Sequence, residues 1–175
     1  DGYNLIEETK TSRKFSDHLN VDPPEDNIFD YLIYSNFINW QTVFINRNLA
    51  GEQLIFREDL NHSEDYEILL RLSLIGKFIY IDSPLIYYRH HKNNISNDIN
   101  SQIIEDESVF KQFQKHIIER KINLSKAKSF MYGSAVIRSI KNRDNYSMYT
   151  SYLIKYPNFQ NLIVYVLIKL RLTIL

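Results

Sequence analysis

Glu64 and Asp65 are the residues best suited to chemistry. They follow Ser63 and precede an apolar stripe of Ile68, Leu69, Leu72 and Ile75. That spacing predicts a helix, with Ser63 as its N-cap and two carboxylates in its first turn. The first turn of a helix presents unpaired N–H groups and the positive end of the helix dipole. Both favour an ionised carboxylate, and a carboxylate held there can take a proton from an attacking hydroxyl as general base. Simple helix capping uses the same residues in the same place.

Arg89, His90 and His91 form a second group. In an extended strand alternate side chains share a face, so Arg89 and His91 point together. A neutral imidazole can supply one ligand to a metal, and a guanidinium suits a phosphate. A polar strand end at the surface reads the same way. Glu67 and Arg71, four residues apart, predict an ordinary helix ion pair worth roughly a few tenths of a kcal/mol. The acidic run Glu105-Asp106-Glu107 reads as a solvated helix face.

The elements that must position these groups fall into two regions, 1–96 and 97–175. In the first, Gly2 to Glu8 reads as a strand, and residues 10–26 as a loop. Glu25 and Asp26 suit the first turn of a helix that carries Ile28, Phe29, Leu32 and Ile33. Trp40 to Ile45 reads as a strand. Gly76 is placed to end the 64–75 helix in a left-handed conformation. Phe78 to Ile81 reads as a strand, 82–84 as a turn, and Leu85 to Arg89 as another strand.

The second region is helical in pattern. Ile103, Phe110, Phe113, Ile117 and Ile118 mark one helix. Ala127 to Ile137 mark another, capped by Ser125. Tyr146, Tyr149 and Leu153 mark a third, stopped by Pro157. Residues 158–175 form an apolar helix with Lys169 and Arg171 near its end. That helix either packs on its predecessors or lies at a membrane surface.

Composition narrows the function classes. The 175 residues are the size of one domain, or of one domain with a helical tail. Apolar residues make up 44% and charged residues 24%, which supports a packed core. Twenty-one basic side chains balance twenty-one acidic ones, so the basic excess of a dedicated nucleic-acid binder is missing. With no cysteine, disulfides, thiolate metal sites and thiol nucleophiles are excluded. The four glycines are too scattered for a phosphate-binding loop. The longest apolar run, Leu162 to Ile168, is far short of the ~20 residues that span a bilayer.

Taken as an ordered set, segment 63–91 resembles the C-terminal, acceptor-side half of the catalytic domain of family 2 glycosyltransferases, which have the GT-A fold. The matching elements are Glu64-Asp65, Arg71, Gly76, the run FIYID, Pro84, and Tyr88-Arg89-His90-His91. Residues 36–49 look like the family's upstream strand on the acceptor side, and Gly2 to Glu8 like the strand after its metal-binding acidic motif. The fold class expected is therefore α/β: the C-terminal half of a GT-A-type mixed sheet over 1–96, then a helical extension over 97–175.

The resemblance implies sugar transfer with inversion at the anomeric carbon. Asp65, with Glu64 beside it, would be the general base. Arg89 and Trp40 would contact substrate, and His91 would lie at the metal. A divalent cation, Mg²⁺ or Mn²⁺, would offset charge on the leaving diphosphate. The implied partners are a nucleotide-diphosphate sugar donor, a glycan or lipid-linked acceptor, and a membrane surface touched through 158–175. No nucleic-acid partner is expected. The implied place is the cytoplasm, peripheral to the inner face of the plasma membrane.

The chain has no Asp-x-Asp, the family's metal motif, and it opens at Asp1. The expectation is a piece of a longer enzyme, inactive as this isolated chain. The rival reading is a non-catalytic helical interaction module on a degenerate α/β scaffold.

Overall fold

The computed structural model describes residues 2–6, 12–14, 28–81, 83, 86–90, 94–141, 150, 153–157 and 161–162. Helix predominates among them, beside one small sheet. The chain divides into two compact units. The first takes in Asp1–Leu32 and Asn36–Asp98, and the second Ile33–Ser35 and Ile99–Leu175.

In the first unit, β1 (Gly2–Ile6) is the central strand of a three-stranded sheet. It pairs antiparallel with β2 (Ser12–Lys14), Asn4 opposite Arg13. It pairs parallel with β3 (Ile86–His90), Asn4 opposite Tyr88. A parallel pair needs a long crossover, and the helices of this unit lie in that connection. β2 falls inside the expected 10–26 loop. Its residues are polar and show no apolar alternation, so what makes them a strand is backbone pairing to β1.

Helix α1 (Ile28–Tyr34) carries Phe29 and Leu32, both fully buried. Glu25 and Asp26 lie outside the described residues. Trp40 to Ile45 is not a strand. Trp40–Thr42 forms a single 3-10 turn because Asn39 captures the local chain. The Asn39 side chain accepts the Gln41 N–H at 3.1 Å, and the Thr42 hydroxyl donates to the Asn39 carbonyl at 2.7 Å. Asn46 then caps α2 (Arg47–Ala50) by accepting the N–H groups of Asn48 and Leu49. Gly51, at φ +53°, lets the chain turn where a side chain would strain.

Helix α3 (Glu64–Ser73) runs through the core. Tyr66, Ile68, Leu69, Leu70 and Leu72 are buried, each such aliphatic side chain worth roughly 1.5–3 kcal/mol. The Tyr66 hydroxyl donates to the Leu32 carbonyl at 2.9 Å, which fastens α3 to α1. Ala50, Ile68 and Leu72 form a cluster covered by Trp40, Ile45, Leu54 and Phe78. Ser63 sits at the N-cap but makes no capping bond with its side chain. Gly76 is not left-handed. The helix has already ended at Ser73, and Gly76 donates its N–H to the Leu72 carbonyl at 3.0 Å. Phe78 to Ile81 is irregular, not a strand. Phe78 is drawn into the cluster while Ile79 is left exposed.

In the second unit, the helix expected over Ile103 to Ile118 is two helices. α4 (Ile99–Gln112) and α5 (Gln114–Glu119) meet at Phe113, whose ψ of 9° breaks the run. Phe113 and Ile117 are buried, whereas Ile118 points outward. α5 ends in a six-residue wrap. The Ile122 N–H donates to the Ile117 carbonyl and the Lys121 N–H to the Ile118 carbonyl. Lys121 holds the left-handed position at φ +56°, normally a glycine's place.

Helix α6 (Leu124–Lys141) is capped by Asn123 rather than Ser125. The Asn123 side chain accepts the Lys126 N–H at 2.9 Å. The core joins Ile99 and Ile103 to Tyr132, Ala135, Val136 and Leu153. Glu107 accepts from the Tyr132 hydroxyl and from Lys128. Burial is the largest single influence and works to raise its carboxyl, but those two bonds together with the charges of Lys128 and Lys111 hold the group below the usual range. Asn161 is buried and donates to Ser129 and to the Tyr156 carbonyl. Gly133 lies against the Asn161 amide. Residues 142–149, and all of 158–175 except 161–162, are outside the described residues. Among the described residues no helix is long and apolar enough to cross a membrane.

Two substitutions test this packing. Lys121→Gly relieves the left-handed strain and raises stability by about 0.5–1 kcal/mol in urea unfolding. Gly133→Ala drives a methyl group into the Asn161 amide and lowers stability by about 1–3 kcal/mol. An unchanged unfolding midpoint for Gly133→Ala would show that Asn161 is not held there.

Candidate functional site

The site is built on α3. Residues three, four and seven apart share a helix face. Asp65 therefore lies on one stripe with Ile68, Leu69 and Leu72. Glu64 lies on the next stripe with Glu67 and Arg71. The first stripe enters the cluster that Trp40, Ile45 and Leu54 cover. Trp40 meets Phe56 edge to face, with ring centroids 5.2 Å apart. So Asp65 precedes, on one helix face, the Ile68 and Leu72 of the cluster that Trp40 packs against.

Asp65 is the perturbed acid. Burial, and then the neighbouring Glu64 charge, push its carboxyl up from 3.8 to about 6. The backbone N–H groups of Tyr66 and of Asp65 itself oppose that rise and do not cancel it. A carboxylate at that value is still largely ionised at neutral pH and is a stronger base than an exposed one. Glu64 starts the helix, and its Oε2 is buried with no hydrogen-bond partner among the described residues. His62, two residues earlier, places Nε2 3.6 Å from Asp98 Oδ2.

Glu67 and Arg71 are more than a helix-surface pair. Glu67 is fully buried. Arg71 Nε lies 2.9 and 3.2 Å from its two oxygens, and Nη2 lies 2.8 Å from Oε2. The rest of the guanidinium reaches outward. Nη1 donates to the Gln53 carbonyl at 2.7 Å and Nη2 to the Ile55 carbonyl at 2.6 Å. The i,i+4 spacing announces the pair. The two carbonyls leave no trace in the sequence, because every residue has one.

The other expected site residues are only partly placed. Trp40 is half-buried beside Phe56, on the 3-10 turn. Arg89 lies on β3, opposite Leu5 of β1, with its side chain outside the description. His91 lies outside the described residues. Glu64 and Asp65 thus stand in the first turn of α3, and Trp40 packs on the cluster that Ile68 and Leu72 of that helix form with Ala50. Among the described residues no three His, Asp or Glu side chains form a group able to hold a metal.

The Asp65 carboxyl sets a pH signature on stability. Between pH 3.8 and about 6 the folded chain keeps a proton that the unfolded chain has lost. Stability therefore falls as pH rises through that window. Above it the cost reaches roughly 2–3 kcal/mol. Asp65→Asn removes the cost, so urea unfolding at pH 7 shows the variant more stable than wild type by roughly 2 kcal/mol. At pH 4 the gain disappears. An equal gain at both values would exclude titration of Asp65 as its source.

Comparison with protein-family models, with curated proteins and with solved structures finds no match to this chain.

Proposed function

We propose that this chain is the acceptor-side part of an inverting glycosyltransferase. As part of a longer polypeptide, it would move a sugar from a nucleotide-diphosphate donor to a hydroxyl acceptor, in polysaccharide or glycolipid synthesis at the inner face of the plasma membrane. The GT-A-type half sheet belongs to the same proposal.

The observation that carries the reading is Asp65: a largely desolvated carboxyl raised to about 6, in the first turn of a helix whose later residues Ile68 and Leu72 lie in the cluster that Trp40 packs against. In the proposed reaction Asp65 takes the proton of the acceptor hydroxyl. The freed oxygen forms a bond to the anomeric carbon while the bond from that carbon to the diphosphate oxygen breaks, so configuration inverts. The electron pair leaves with the diphosphate. A divalent cation supplies neutralising charge to that leaving group when bound. Glu64 keeps the local potential negative and so raises the basicity of Asp65. Trp40 and Phe56 offer aromatic faces to the apolar side of a sugar ring.

Turnover by the complete polypeptide tests the base. Asp65→Asn lowers kcat by about 10²–10⁴-fold with donor KM unchanged. Wild-type kcat/KM rises with pH through about 6 as the carboxyl ionises. Wild-type turnover in the variant would remove Asp65 from the role.

A further inference from the structure

We infer that Arg71, with Glu67 behind it, is a positioning residue that sets the Trp40–Phe56 ring pair for a pyranose acceptor. The inference rests on the glycosyltransferase reading and extends it to the acceptor side of the same site.

The geometry runs in one line. Glu67 is fully buried on α3 and binds Arg71 through both carboxylate oxygens. Nη2 also donates to Glu67 Oε2, and its second hydrogen reaches the Ile55 carbonyl while Nη1 reaches that of Gln53. The guanidinium is planar and its donors are fixed in direction, so these bonds set the position of residues 53–55 against α3. Phe56 is the next residue, and its ring is the one that meets Trp40. Leu54, between the two carbonyls, turns inward to the Ala50, Ile68 and Leu72 cluster, while Ile55 stays exposed. The loop is therefore gripped on both sides of an inward anchor. The helix that carries Asp65 in its first turn grips it six residues further along.

A lysine cannot repeat this. Its ammonium is a point charge with no fixed fork, so Arg71→Lys keeps a cation beside Glu67 and loses the simultaneous hold on two carbonyls. A purely structural role would lower the unfolding midpoint and leave the folded protein's affinity for a sugar unchanged. A positioning role weakens the affinity of protein that is still folded.

The test is binding of methyl β-D-glucopyranoside and methyl β-D-galactopyranoside to the complete polypeptide, followed by ligand-observed NMR at a temperature where every variant is folded by circular dichroism. Arg71→Lys is expected to weaken binding at least tenfold, and Lys115→Ala, an exposed residue of α5, to change it by less than twofold. Wild-type affinity in Arg71→Lys overturns the inference, and so does a wild type that binds neither glycoside. The base assignment is then still judged separately, by turnover of Asp65→Asn. If Arg71→Lys does not fold, hydrogen exchange in the wild type decides. Amides of residues 53–56 exchanging as slowly as those at the end of α3 support the grip, and exchange at the rate of an open loop overturns it.

Discussion

A carboxylate removed from water must be paired, and in the first unit that constraint falls on Glu67. Its partner is Arg71, one helical turn on. An unshared pair at that depth would recover little of its desolvation cost. The guanidinium adds two backbone carbonyls from a distant loop, so that one buried charge draws together α3 and residues 53–55. The inward placement of Leu54, and the meeting of Phe56 with Trp40, follow from a loop held at those points. Removing either charged partner would leave the other buried alone, which is the more costly state.

Two carboxylates on the same helix thereby take opposite characters. Glu67 faces a guanidinium. Asp65, two residues earlier and on another side of the helix, meets burial and the charge of Glu64. The energetic conflict is local: the first turn of α3 costs stability above pH 6, and the apolar residues behind it offset that cost.

The second unit handles buried polarity differently. Asn161, Ser129 and the Tyr156 carbonyl satisfy one another inside an apolar cluster, with Gly133 making the room. Tyr132 and Tyr156 stack with their planes 7° apart, and the Tyr132 hydroxyl ends on Glu107. Glu107 belongs to the acidic run that reads as a solvated face. Its place in the packing depends on Tyr132 and Lys128, residues more than twenty positions away.

Periodicity by itself determined α1 and α3. The apolar stripe from Ile68 to Leu72 and the trio Phe29, Leu32, Ile33 have one reading each, because burying a single face forces the 3.6-residue period. The acidic start of α3, the 67–71 pair and the strands near 2–6 and 86–90 were legible for the same local reason. Apolar content without period misled. Trp40 to Ile45 and Phe78 to Ile81 have strand composition, yet side-chain capping by Asn39 and packing on α3 claimed them. β2 could not be seen, since its strand character lies in its pairing with β1. The break at Phe113 and the left-handed Lys121 depend on which residues the second unit buries. Only the tertiary structure raised Asp65 and gave Arg71 its second pair of acceptors. Desolvation and backbone carbonyls are supplied by chain segments far away in sequence, and no local pattern of residue types encodes them.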